Sequence, residues 1–348
     1  MIQGETITNK PKLVMPIGLP GCGKSTWAKE MVEKEDYVIH SSDQIRLELG
    51  TTADDPHKND QKAFQIMRER IKKDLLAGKN CIYDATNMSR KNRRQFLEEL
   101  THIPCEKEAL LFLIPASVCK ERNSHREGFA RVPDFVYNRM LKAFNVPDKH
   151  YDGFDTIDFI AYEGDFSIPD YDRLDDFSQD NPHHAESLGD HMRLAAANVH
   201  MIMGSPDRYD PDSVYNPENL AYIAKYHDIG KFHTKDFHNS KGEPSEEAHF
   251  YGHDNVGAYM YLLKWLKETP VSFRRETFET ALTVANAINW HMAPHTIWKQ
   301  SERRQKFDRE HLDPELVKAI DVLHEADKRA SIPMEEEQDL ENEDPEKV

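Results

Sequence analysis

No apolar run in this sequence approaches the roughly 20 residues a helix needs to cross a bilayer, so no membrane partner is expected. The polar opening, Met1 to Lys12, lacks the apolar core of a signal peptide. Cysteine is scarce: Cys22, Cys81, Cys105 and Cys119 have no metal-like spacing, and a reduced, cytoplasmic setting is the simple expectation. No internal repeat is present. Positive charge is also short, and the net charge of −17 argues against broad electrostatic binding to a polyanion. The deficit is uneven. Residues 1–165 hold 25 Lys/Arg against 26 Asp/Glu, whereas residues 166–348 hold 20 against 36. The first half can accept a phosphate-rich end at a local basic site; the second needs metal ions to do so.

Against these absences stands Gly18-Leu19-Pro20-Gly21-Cys22-Gly23-Lys24-Ser25-Thr26, which fits G-x-x-x-x-G-K-[ST]. It lies between a short apolar run, Lys12 to Ile17, and a segment of helical composition, Trp27 to Lys34. In that context Gly18, Gly21, Cys22, Gly23 and Thr26 form a backbone cradle for nucleotide phosphates at a helix N-terminus. Lys24 then reaches the β/γ-phosphates, and the Ser25 hydroxyl can ligate Mg²⁺, implying ATP and Mg²⁺ as cofactors.

Apolar strand-like runs at Leu13–Ile17, Tyr37–His40, Cys81–Ala85 and Ala109–Ile114 alternate with amphipathic helical segments such as Asn59–Leu76 and Arg90–Leu100. The expected fold is an α/β P-loop domain, a parallel sheet covered by helices, with ligands beyond the carboxyl ends of the strands. Residues 1–165 are assigned to it. Residues 166–182, rich in Asp, Ser and Pro, read as a linker. Residues 183–332 show helical periodicity at Leu188–Met203, Leu220–His227, Asn255–Leu266 and Glu276–Trp290, and an all-α domain is expected. Residues 333–348 read as an acidic disordered tail.

Asp43 follows the second strand directly, where a carboxylate can take the proton of an attacking hydroxyl; it can equally cap the helix that follows. Arg46, three residues on, shares its helical face and can hold an acceptor phosphate. Asp84-Ala85-Thr86-Asn87 ends the third strand, where Asp84 and Thr86 can touch the metal shell or the phosphates. The basic run Arg90 to Arg94 reads as a solvated helix face before it reads as a site. Arg122 and Arg126 are i,i+4 on an expected helix and suit a lid that closes on nucleotide phosphates.

In the second half, His227-Asp228 sits in Tyr-His-Asp-Ile-Gly-Lys, with His191 upstream and His253, His291 and Asp327 downstream. The order His…His-Asp…Asp is the ligand set of one octahedral divalent site suited to Mn²⁺, Fe²⁺, Co²⁺, Ni²⁺ or Zn²⁺. His253 and His291 can complete a second metal bridged by Asp228, and a metal pair can activate water for displacement at phosphorus. His183, His184, His200 and His295 are set aside as incidental.

Taken together, G-x-x-x-x-G-K-S, Ser42-Asp43-x-x-Arg46, Asp84-Ala85-Thr86-Asn87 and Arg122-Asn123-x-x-Arg126 with Arg131-Val132-Pro133 resemble the 5′-hydroxyl polynucleotide kinases over residues 11–150. The resemblance implies Asp43 as general base, Arg46 as acceptor-phosphate contact, and Arg122 and Arg126 as lid arginines. Kinases of metabolites share parts of the pattern. Residues 180–331 resemble the HD phosphohydrolase superfamily, most nearly the module appended to bacterial tRNA nucleotidyltransferases. That resemblance implies His191, His227, Asp228 and Asp327 for one metal, His253 and His291 for a second, and Lys231 as a substrate-phosphate contact, with action on 2′-, 3′- or 2′,3′-cyclic phosphates. The pair resembles bifunctional polynucleotide kinase–phosphatases. The expected partners are RNA or DNA ends, with a functional link to a nucleic-acid ligase. A nucleotide or metabolite kinase joined to a nucleotide phosphohydrolase, and a regulatory ATPase with a ligand-sensing second domain, remain as alternatives.

Overall fold

The protein is described by a computed structural model covering residues 10–52, 55, 58–128, 131–204 and 213–333. The expected tail, from residue 334 onward, lies outside the described residues.

The first domain is a parallel sheet of β1 (Lys12–Ile17), β2 (Tyr37–Ser41), β3 (Asn80–Asp84), β4 (Glu106–Leu113) and β5 (Thr156–Ala161), in the order β2-β3-β1-β4-β5. The central strands are near-continuous apolar runs because both faces are covered: Leu13, Val14, Met15 and Ile17 are all buried. Between the strands run α1 (Lys24–Glu35), α2 (Ser42–Glu48), α3 (Asp60–Leu76), α4 (Arg90–Glu98), α5 (Ala116–Ser124), α6 (Asp134–Lys142) and α7 (Lys149–Asp152). From β1, at the middle of the sheet, the chain moves to β2 on one side, and from β3 it crosses to β4 on the other. The carboxyl end of β1 is therefore the switch point where such sheets hold ligands.

β5 has no counterpart among the expected strands. It is an edge strand whose residues are only partly buried, so Thr-Ile-Asp-Phe-Ile-Ala carries a weak apolar signal. The basic run on α4 departs from expectation more sharply. Arg90 and Arg93 are buried, and the Arg93 guanidinium pairs with Asp152 at 2.7 Å while donating to the carbonyls of Asn87, Met88 and Asn145. Arg93 ties the β3–α4 loop to α7, so its sequence neighbourhood of charge hides a core residue.

The second domain contains α8 (Leu188–Met203), α9 (Pro217–Tyr226), α10 (Lys231–Thr234), α11 (His253–Glu268), α12 (Val271–Trp290), α13 (Ile297–Gln300), α14 (Glu302–His311) and α15 (Pro314–Ala330). Side-chain caps start several of these helices. Ser187 accepts from the Asp190 amide at α8, and Asn216 and Asp313 cap α9 and α15, each just before a proline at the first helical position. A small antiparallel hairpin, β6 (Asp236–His238) with β7 (Pro244–His249), interrupts the helices. Residues 166–182 form no helix or strand, yet Tyr171, Leu174 and Gln179 are buried.

The two domains share one continuous core. Tyr259 of α11 packs edge-on against Phe144 and donates to the Ile114 carbonyl at 2.5 Å. Phe159 of β5 lies against Trp265 and Phe278. Asn289 accepts from the Arg90 guanidinium at 2.8 Å and the Val146 amide at 3.2 Å. These contacts fix the second domain against α4, α6 and the sheet.

Candidate functional sites

The phosphate loop turns directly off β1. Lys24, at the first position of α1, is buried, and its Nζ donates to the Gly18 and Leu19 carbonyls at 2.7 and 2.9 Å. Gly21 has φ of +87°, and a Cβ there would collide with the Cys119 carbonyl of α5, so only glycine fits the turn. Cys22 is buried, with its Sγ 3.5 Å from the Lys24 ammonium. The Gly18 amide donates to the Thr86 carbonyl at 3.2 Å, joining the loop to the end of β3. Thr26 is exposed on the first turn of α1.

Ser25 donates to Asp84 Oδ2 at 3.1 Å. Burial pushes the Asp84 carboxyl above its ordinary value, against the pull of Lys24 and the Ser25 hydroxyl. A half-buried carboxylate and a hydroxyl beside a lysine fit a Mg²⁺-nucleotide: both oxygens are hard ligands, and the cation supplies the charge that partial desolvation withholds. Asp43 lies in the first turn of α2, where Ser41 occupies the cap position, so its carboxylate is not the helix cap. Its side chain is 63 % exposed and accepts from Arg46 Nη1 at 2.6 Å. Arg46 is simultaneously held by Asp60 at 2.6 Å and lies over the Phe64 ring. Arg122 and Arg126 do not share a helix. α5 ends at Ser124, Arg126 follows it in a turn, and the Arg122 guanidinium lies 6.0 Å from the Tyr162 ring centre.

In the second domain, His191 on α8, His227 and Asp228 after α9, and Asp327 on α15 bring four ligand atoms together. Asp228 also joins His253 at the start of α11 and His291 at the end of α12. Asp228 Oδ2 faces the first group, 3.4 Å from both His191 Nε2 and His227 Nε2, while Oδ1 faces the second, 3.1 Å from His253 Nε2 and 3.4 Å from His291 Nε2. The other ring nitrogens are spoken for. His227, His253 and His291 each donate from Nδ1 to a backbone carbonyl, of Ala224, Phe250 and Ile288, at 2.6–2.8 Å. A carbonyl only accepts, so Nδ1 keeps the proton and Nε2 turns its lone pair inward, the form that binds metal.

His191 Nδ1 meets Glu186 Oε1 at 3.1 Å, a carboxylate–histidine pairing of the same kind. Both His191 Nε2 and His227 Nε2 are buried with no hydrogen-bond partner among the described residues, although carboxylate oxygens lie nearby. Burial pulls the His191 imidazole down, but Asp228, Asp327 and Glu186 overcome it and lift it to about 10. Imidazole nitrogens and carboxylates converging on common points, with inward lone pairs left unpartnered and an unmet demand for positive charge, fit one or two divalent transition metals.

Lys231 is buried, with Nζ 2.8 Å from Asp228 Oδ2 and donating to Gln179 Oε1 at 2.9 Å. Gly230, in the same motif, sits where a Cβ would collide with the His253 carbonyl, so glycine lets α10 meet α11 beside the ligands. Two histidines set aside in the sequence belong to the site. His184 Nδ1 pairs with Glu186 at 2.6 Å, and His295 Nε2 lies 3.1 Å from Asp327 Oδ2. Glu186 itself was not among the expected residues; its spacing of five before His191 is the only signal the sequence offers.

With the two sites in place, the class follows: a P-loop kinase domain of parallel α/β architecture, followed by a helical HD domain. Residues 13–147 match the family model of the AAA domain, and residues 188–327 match that of the HD domain. Among solved structures, the chain is similar to one in the Pnkp1/Rnl/Hen1 complex at 25 % identity, covering 34 % of this chain and 41 % of that one, with a TM-score of 0.29. A gluconokinase from Sinorhizobium meliloti 1021 is similar at 18 % identity over 44 % of this chain and 83 % of its own, TM-score 0.30. A fungal RNA kinase is similar at 14 % identity over 47 % and 80 %, TM-score 0.31. The chain thus spans under half the length of the first of these relatives. No described helix is long and apolar enough to cross a membrane.

Proposed function

We propose that the protein heals broken nucleic-acid ends: its P-loop domain transfers the γ-phosphate of ATP to a 5′-hydroxyl, and its HD domain removes a 2′-, 3′- or 2′,3′-cyclic phosphate. Residues 1–165 and 183–332 act as the two working units, joined through 166–182. The observation that carries the reading is the pairing, in one chain, of Asp43 beside the Lys24–Ser25–Asp84 cluster with the Asp228-centred histidine set. Cleavage that leaves a 5′-hydroxyl commonly leaves a phosphate on the other terminus, and a ligase needs both ends mended.

In the kinase centre, Lys24 and the loop amides would hold the nucleotide phosphates, and Ser25 with Asp84 would hold Mg²⁺. Asp43 takes the proton of the acceptor hydroxyl, and Arg46 orients both Asp43 and an acceptor phosphate. Arg122 and Arg126 approach the transferred group from the α5 side. In the HD centre, His191, His227 and Asp327 would hold one divalent ion and His253 with His291 a second, with Asp228 offering an oxygen to each. Such a pair, when bound, would supply an activated water and neutralise charge on the phosphate. Lys231 holds Asp228 in place and lends charge to the substrate phosphate.

Incubation with γ-labelled ATP and either a 5′-hydroxyl oligonucleotide or a mononucleoside tests the kinase half. Label in the oligonucleotide supports the reading; label confined to small acceptors places the protein among nucleotide or metabolite kinases instead.

A further inference from the structure

Between the domains lies a cleft of about 460 Å³ into which α4 and α14 direct cations, in a chain whose net charge is −17. Two arginines of α4 are held there between aromatic faces. The Arg90 guanidinium lies 4.2 Å from the Trp290 ring centre and 5.6 Å from that of Tyr151; Arg94 lies 4.7 Å from Tyr151 and 4.3 Å from Phe307. The stack fixes the guanidinium planes and covers their faces, so only the N–H edges remain for hydrogen bonding.

Some of those edges are satisfied: Arg90 Nη2 donates to Asn289, and Arg94 Nε donates to Glu98 at 2.7 Å. Others are not. Arg90 is 6 % exposed, and its Nε, like Arg94 Nη1, is buried with no hydrogen-bond partner among the described residues. Buried donors are normally satisfied, so two orphans on neighbouring arginines mark a place for an acceptor. Lys91, exposed beside them, and Arg304 extend the positive lining, against Glu98 and Asp254.

The location narrows the ligand. α4 begins six residues after Asp84 of the kinase centre, and the far wall includes Asp254 and Trp290, the chain neighbours of His253 and His291. We propose that this cleft binds the phosphodiester backbone of a single-stranded oligonucleotide, gripping internal phosphates through Arg90, Lys91 and Arg94. Arg90 and Arg94 are i,i+4, about 5–6 Å apart at their Cβ atoms, a spacing that lets each meet a different phosphate of one strand. The volume exceeds what a lone phosphate fills. The inference rests on the nucleic-acid reading above and adds where the body of the strand lies.

The test compares wild type, Lys91→Glu and Arg94→Gln, using fluorescence anisotropy with single-stranded 12-mer RNA and DNA at several salt concentrations. Lys91 is exposed, so its reversal leaves the fold intact even where Arg94→Gln loosens the domain contact. Each variant is expected to weaken 12-mer binding about tenfold and to flatten the salt dependence by about one contact. The KM for ATP is expected to stay unchanged. Equal 12-mer affinity in wild type and both variants overturns the cleft, as does a wild type that binds neither 12-mer. Binding lost in the variants while the wild type phosphorylates no oligonucleotide upholds the cleft and sinks the kinase reading instead. A loss for RNA alone, or for DNA alone, assigns the strand.

Discussion

His191 Nε2 lies 2.9 Å from Asp327 Oδ1, yet no hydrogen bond joins them, and the nitrogen has no partner among the described residues. Two groups so close without aiming at each other are aimed at a shared third point. The same holds for His227, and together they define where a cation belongs. Chelation is therefore expected to abolish phosphatase activity, with Mn²⁺, Fe²⁺, Co²⁺, Ni²⁺ or Zn²⁺ restoring it. Asp228→Asn should bind fewer metal ions per chain by elemental analysis and lose phosphatase activity while ATP-dependent phosphoryl transfer persists. Full metal content in Asp228→Asn would contradict the bridging role.

Glu186 tests the outer layer. It orients His191 through Nδ1 and also accepts from the Ile332 amide at 3.0 Å. Glu186→Gln keeps the shape but weakens the carboxylate–imidazole pairing, and metal affinity should fall about 10–100-fold in a competition titration. Unchanged affinity would reduce Glu186 to a packing residue.

Asp43→Asn is expected to lower the kinase kcat by about 10²–10⁴-fold, the usual worth of a positioned base, with KM for ATP little changed. Phosphatase activity in the same preparation should equal wild type. A KM effect without a kcat effect would make Asp43 a binding residue.

The buried Arg93–Asp152 pair makes a stability prediction. Both side chains are fully buried, and removing one strands the other's charge, at a cost of about 3–5 kcal/mol. Arg93→Met should lower the denaturant midpoint accordingly, and Arg93→Met with Asp152→Leu should recover most of the loss. Equal midpoints for the single and double variants would show that the arginine's carbonyl contacts, not the ion pair, dominate.

Gly230→Ala is expected to push α10 from α11 at His253 and reduce phosphatase activity about 100-fold, the scale of an ångström-sized misplacement. Kinase activity, assayed in parallel, should hold.

Much of this arrangement was legible in the sequence because its signals are local. The phosphate loop is a contiguous pattern between a strand and a helix, and the α8 boundaries follow from apolar periodicity after Ser187. The clustering of these histidines and aspartates was legible because each histidine carries a distinctive neighbour. What escaped depends on contacts between distant segments. Arg93 looks like any charged helix residue until Asp152, far along the chain, is placed beside it. His184 and His295 have no motif; only folding brings them to Glu186 and Asp327. β5 is an edge strand covered by the second domain, so its pairing is visible only once Trp265 and Phe278 arrive. The arginine pair on adjacent turns was read through one helix, whereas α5 stops two residues short of Arg126.

The most direct test of end-healing uses one RNA oligonucleotide bearing a 5′-hydroxyl and a 2′,3′-cyclic phosphate, incubated with the protein, ATP and a divalent metal and read by mass spectrometry. The expected product gains one phosphate at the 5′ end and loses its 2′,3′-cyclic phosphate by hydrolysis of both ester bonds, leaving a 2′,3′-diol that, with the 5′-phosphate, is a substrate for a ligase. An oligonucleotide recovered with both termini unchanged, while the protein phosphorylates free nucleosides or metabolites, would contradict the account.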